Sequence, residues 1–87
     1  QSTTSKEIIN FNEILIYPNP SNNLVNISSQ ELISEITIIN ILGEVVFEKH
    51  PNKSSIAIDV SSFSSNLYTI KVMYGERQKV EKLLIQH

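Results

Sequence analysis

The chain has 87 residues, no cysteine and a formal net charge of −2, from seven Lys and Arg against nine Asp and Glu. Chains of about 60 residues already approach the practical minimum for a single core, so a second domain is excluded. Without cysteine there is neither a disulfide framework nor a thiolate metal site; the scattered charge leaves no basic stripe for nucleic acid, and no apolar run approaches the about 20 residues of a membrane helix.

Isoleucine, asparagine and serine are heavily used, and isoleucine favours strands because its β-branch fits a pleated surface. The chain opens on Gln1 rather than Met and carries no pattern of basic start, apolar stretch and small-residue cleavage site. It is therefore expected to have been processed or to be the end piece of something longer. Residues 1–12 open as polar Gln1-Ser2-Thr3-Thr4-Ser5-Lys6 and are expected to be a flexible linker, with one folded domain over 13–87.

In chain order, Glu13-Ile14-Leu15-Ile16-Tyr17 reads as a first strand, stopped where Pro18 and Pro20 remove ladder donors. Leu24-Val25-Asn26-Ile27-Ser28 puts Val25 and Ile27 on one face at period two and predicts a second. Residues 35–41 predict a third, joined by a tight turn at Leu42-Gly43-Glu44 to a fourth over 45–49, with Gly43 supplying the positive φ of a hairpin. A turn at His50–Ser54 leads to a fifth strand, Ser55–Asp59. Asp59 is placed to cap a single helical turn in the serine-rich segment that follows. Tyr68–Tyr74 and Gln78–Ile85 predict a closing hairpin around Gly75-Glu76-Arg77, a longer polar turn, so Gly43→Val, a β-branched residue at positive φ, is expected to destabilise more than Gly75→Ala. Seven short strands with regular turns and no helical period predict an all-β fold, a seven-stranded antiparallel β-sandwich of the immunoglobulin-like kind.

Chemistry has little to work with. His50 lies before Pro51 in a turn and His87 is the last residue of the sequence, so neither is placed as an acid or base. Glu44 and Glu48 on an extended strand would lie about 13 Å apart, beyond the about 5–9.5 Å of glycosidase carboxylate pairs. Two glycines cannot build a phosphate-cradling loop, and no serine sits in a Gly-x-Ser-x-Gly elbow. No catalytic residue, metal ligand or cofactor is assigned. Tyr17, Phe47, Tyr68 and Tyr74 read as packing residues, with a sugar-stacking platform as the alternative.

The ordered motifs carry more than any single residue. Tyr17-Pro18-Asn19-Pro20, the Val25/Ile27 strand, Asn40-x-x-Gly43, Ile58-Asp59-Val60-Ser61, Tyr68-x-Ile70-x-Val72 and Glu81-Lys82-Leu83-Leu84-Ile85 occur in the order found in one family. The set resembles the C-terminal sorting domain of the type IX secretion system of Bacteroidetes, over about residues 14–86. The resemblance implies a non-enzymatic secretion signal. It would direct a larger N-terminal passenger through the periplasm and the outer-membrane machinery to the surface or medium, with a sortase-like peptidase as further partner. The sorting motif it implies consists of Tyr17, Pro18, Asn19, Pro20, Asn40, Gly43, Asp59, Tyr68, Lys82, Leu83 and Ile85. In the family a glycine commonly stands where Asn66 stands here, and Asn66 is expected to take the left-handed conformation in its place. The alternative function is a non-catalytic accessory or carbohydrate-binding β-sandwich module of a secreted enzyme.

Overall fold

The computed structural model describes residues 14–87. The expected linker and Glu13 lie outside the described residues. Six strands follow in order: β1 (Leu15–Tyr17), β2 (Leu24–Ile39), β3 (Val45–Lys49), β4 (Lys53–Asp59), β5 (Asn66–Tyr74) and β6 (Arg77–Ile85). All pairings between them are antiparallel, and no helix occurs among the described residues.

The count differs from the expected seven because the second and third predicted strands are one. β2 runs for 16 residues and changes partners midway. Its first half lies between β1 and β4, as Ile27 pairs with both Ile16 and Ile56. Its second half lies between β3 and β5, as Ile36 pairs with both Lys49 and Val72. β6 then pairs with β5. The strands therefore form one hydrogen-bonded sheet, where the immunoglobulin-like reading expected two. That sheet curls, and an isolated bridge from Ser21 to Ile85 joins the segment after β1 to the end of β6.

A period of two would put Val25 and Ile27 on one face and Ile36 and Ile38 on the other. A bulge prevents this. Between Ile33 and Glu35 the ladder advances two residues on β2 but one on β5, from Tyr74 to Met73. The extra residue is Ser34, whose hydroxyl donates to the Met73 carbonyl at 3.2 Å. After the bulge Ile36 and Ile38 point to the same side as Val25, Ile27 and Ile33, and all five are essentially inaccessible. They join Ile58, Val60, Tyr68, Ile70, Val72, Tyr74, Leu83 and Ile85 in a single core.

Two positive-φ residues hold the middle of β2. Asn52 (φ 56°) donates from its backbone N–H to the Ile33 carbonyl at 2.9 Å. Gly75 (φ 58°) donates to the Leu32 carbonyl at 3.2 Å. Tyr74 pairs directly with Arg77, so the β5–β6 loop is two residues, Gly75-Glu76, tighter than expected. Positive φ at its first position and not at its second is the pattern of a type II′ hairpin, which wants glycine there. Gly43 has φ 86° with open space where a Cβ would go, whereas a Cβ on Gly75 would meet the Glu31 carboxylate.

For alanine the two glycines share a positive φ and differ in what a new Cβ would meet. Gly43→Ala should cost about 1 kcal/mol of backbone strain. Gly75→Ala carries similar strain and otherwise meets only the end of the flexible, partly exposed Glu31 side chain, so it should cost about as much, with Glu31→Ala in the same chain restoring any excess. Thermal melts check this, at about 4–8 °C per kcal/mol for a domain of this size. A clearly larger shift for Gly75→Ala, relieved by Glu31→Ala, would show that the Glu31 carboxylate is held in place.

Candidate functional site

The sequence motifs fall into two structural groups. The first builds turns and the loop above the core. Asn40 organises the β2–β3 hairpin: its side-chain oxygen accepts from the backbone N–H groups of Leu42 and Glu44, each at 2.9 Å. Its amide nitrogen donates to the Glu44 carboxylate at 2.9 Å. The Gly43 N–H closes the turn onto the Asn40 carbonyl at 3.0 Å, so Asn40-x-x-Gly43 is a turn device whose asparagine acts through its own backbone neighbourhood.

Asp59 accepts from the Ser61 N–H at 2.9 Å and the Ser61 hydroxyl at 2.6 Å. The expected helical turn does not form. Phe63 N–H bonds the Val60 carbonyl and the segment is a simple turn. The Ser61 hydroxyl, then its backbone N–H, hold the exposed Asp59 carboxyl below the ordinary carboxylate range. A depressed folded-state pKa gives stabilisation that is present above the unfolded-state value and lost as pH falls through the lowered one. Ser61→Ala should move the Asp59 midpoint upward in an NMR titration; an unchanged midpoint would show that the hydroxyl does not bond it.

Tyr68 is buried, with its hydroxyl donating to the Ser64 carbonyl at 2.8 Å and its ring centroid 5.6 Å from that of Phe63. A tyrosine bonding backbone a few residues upstream is a corner device of β-sandwiches. Asn66 is extended, as the first residue of β5, and does not take the left-handed conformation.

The second group brings the two ends of the described chain together. Tyr17-Pro18 and Asn19-Pro20 are cis peptides, and the turn they form lies along the open edge of β6. Asn19 spans that edge with its side chain. Its amide donates to the Lys82 carbonyl at 2.9 Å, and its oxygen accepts from the Leu84 N–H at 3.0 Å. Ser21 continues the contact in backbone: its N–H donates to the Leu84 carbonyl at 2.9 Å, and its carbonyl accepts from Gln86 at 2.8 Å. The Ser21 hydroxyl turns back onto the Pro18 carbonyl. Beyond them, the His87 N–H bonds the Ser65 hydroxyl at 3.0 Å, and its ring Nε2 lies 2.6 Å from the Phe63 carbonyl.

An edge strand presents unpaired backbone groups, and β6 handles them in two ways. Its second half, with Leu83 and Ile85 fully buried, is covered by Asn19 and Ser21. Its first half pairs Arg77, Lys79 and Glu81 with core-facing Tyr74, Val72 and Ile70, and such inward charges discourage a further strand. Lys82 is exposed on the other face, with its Nζ 3.2 Å from the Thr69 hydroxyl.

Of the aromatic residues considered as a platform, Tyr68 and Tyr74 are buried and Phe47 is half-buried; Tyr17 alone is exposed. His50 is exposed, with its Nε2 3.4 Å from the Glu48 carboxylate. No group of three or more His, Asp and Glu suited to a metal occurs among the described residues.

The motif residues thus build the turns of a single-sheet β domain and seal one of its edges. Residues 15–86 match the secretion system C-terminal sorting domain. The chain belongs to this family, the sorting domains of the type IX secretion system. It is also 36% identical over 72 residues to a protein named ulvan lyase NLR42 from Nonlabens ulvanivorans, a match covering 80% of this chain and 14% of that protein. The chain thus corresponds to a small part of that relative. The family is defined by sorting, not by catalysis, and a type IX sorting signal directs export to the cell surface or medium.

Asn19→Ala should destabilise the domain by about 1–3 kcal/mol, from two net hydrogen bonds of about 0.5–1.5 kcal/mol each. Hydrogen exchange at Leu84 should quicken selectively. Unchanged protection of Leu84 would mean that the edge stays closed without Asn19.

Proposed function

We propose that this domain carries an N-terminally attached passenger across the outer membrane, and that the signal is the composite surface formed where the Tyr17-Pro18-Asn19-Pro20 turn meets β6. The observation that carries the reading is the Asn19 clamp on Lys82 and Leu84. It joins the first and last motifs of the family set into one surface, with Lys82 projecting beside it. Outer-membrane components of the type IX machinery would read that surface. A sortase-like peptidase would then release the passenger by cutting within Gln1 to Asn12, and the passenger would be attached to the cell surface. A match to a small part of a protein named as a lyase supports a passenger of enzyme size. Asn40, Gly43, Asp59 and Tyr68 would serve the signal by holding the fold in shape.

Lys82→Glu tests the surface without disturbing the core. Exposed substitutions away from special features cost within about 0.5 kcal/mol, and the Lys82 side chain bonds only the Thr69 hydroxyl among the described residues, its contact with Asn19 being through the backbone carbonyl. Reporter fusions of the parent and variant domains, matched for melting temperature, would be compared for export in a type IX-competent host. Reduced export of Lys82→Glu with the reporter held in the periplasm is the expected result. Undiminished export would place the signal elsewhere on the sheet. Truncation before Lys82 is the weaker test: it removes buried Leu83 and Ile85, at about 2–5 kcal/mol for each large core side chain lost. Mass spectrometry of the released passenger should find its new terminus upstream of Glu13, and a terminus inside the sheet would overturn the processing scheme.

A further inference from the structure

The outer face of the β1–β2–β4 half carries a groove of about 790 Å³ that the sorting reading leaves unused. Its floor is the cross-strand row Tyr17–Asn26–Ala57 and the neighbouring Ser28–Ser55 pair. Ala57, Ser55 and Ser28 are short, so the floor is low, and the exposed ring of Tyr17 stands at one end. At the other end the β3–β4 kink brings Lys49, His50 and Lys53 to the rim. Lys53, Ser55 and Ala57 share one face of β4 at period two, so Tyr17 and Lys53 flank a trough about 13 Å long.

The chemistry of this lining is selective. The chain is net negative, yet no carboxylate among the described residues lines the groove. Glu48 pairs with His50, while Lys49 and Lys53 pair with no carboxylate among the described residues. The Asn26 amide donates to the Tyr17 carbonyl at 3.4 Å, and its side-chain oxygen accepts no hydrogen bond among the described residues. An extended peptide would seek open strand edges, but this floor is the face of three paired strands. An exposed ring, short amide and hydroxyl groups on a flat floor and two ammonium groups suit a ring-shaped polyol that carries negative charge.

We propose that this groove binds an anionic saccharide: Tyr17 packs on the face of a sugar ring, Asn26, Ser28 and Ser55 meet its hydroxyls, and Lys49 and Lys53 pair with its sulfate or carboxylate. The inference is independent of the export reading, and its test involves no secretion.

The full 87-residue chain would be titrated by NMR and calorimetry with a sulfated disaccharide, the desulfated disaccharide and inorganic sulfate. The sulfated sugar should shift the amides of Tyr17, Asn26, Ser55 and Ala57 and bind at least tenfold more tightly than either control. Lys49→Gln with Lys53→Gln, and separately Tyr17→Ala, should each weaken it about tenfold at unchanged melting temperature. Lys71→Gln, on the other half of the sheet, should leave it unchanged. Inorganic sulfate binding as tightly as the sulfated sugar would overturn the proposal. So would equal binding of the desulfated sugar, shifts outside the groove, or no binding at millimolar sugar.

Discussion

The shared core of this domain depends on one extra residue in β2. Ser34 shifts the side-chain parity of a 16-residue strand, and only with that shift do Val25 and Ile27 share a core with Ile36 and Ile38. Without it one apolar pair would face water, and burying a branched aliphatic side chain is worth about 1.5–3 kcal/mol. A domain this small has about 4–13 kcal/mol of net stability. The bulge thus makes a single sheet sufficient: one strand supplies the centre of both halves, β1, β3, β4 and β5 are each positioned by the side and segment of β2 that they pair with, and β6 is added through β5.

The edges follow from that plan. β3 and β4 run in succession along one edge of β2, with the Asn52 turn bonded to Ile33 where they meet. On the other edge β1 and β5 take different halves, which leaves β6 as an outer strand whose far end lies beside the turn after β1. Asn19 and Ser21 satisfy there what no strand supplies. Structural and functional readings of the family motifs consequently divide by place: the residues at Asn40, Gly43, Asp59 and Tyr68 bond within their own turns and loops, while those around Asn19 and Lys82 tie distant segments.

Local sequence patterns disclosed what local physics determines. Alternating isoleucines marked the strands, Gly43 announced the hairpin that it forms with φ 86°, and Asp59 was correctly seen as an acceptor for backbone two residues ahead. The joining of residues 24–28 with 35–39 was hidden because Ser28–Ser34 alternates weakly and the bulge carries no glycine or proline to reveal it. Asn66 was assigned a left-handed turn by comparison with a glycine, but the strand begins at that residue and leaves no turn to make. The Asn19 clamp was invisible for a different reason: Tyr17–Pro20 and Lys82–Ile85 were each recognised, yet no periodicity can state that two segments more than 60 residues apart share hydrogen bonds. The groove beside Tyr17 was hidden likewise, since its floor draws on three strands.

The separation of 63 and 65 residues between Asn19 and its two partners also bears on the order of assembly. Hairpins such as β2–β3 and β5–β6 close loops of a few residues and can form early, whereas contacts so distant in sequence incur chain-closure entropy before they give anything back. By that argument the seal on β6 is expected to close after the hairpins, and it needs a chain that possesses both residue 19 and the stretch through 86. A molecule interrupted before that stretch keeps Asn19 without its partners. The finished edge is in this sense a report on integrity, written in two asparagine hydrogen bonds.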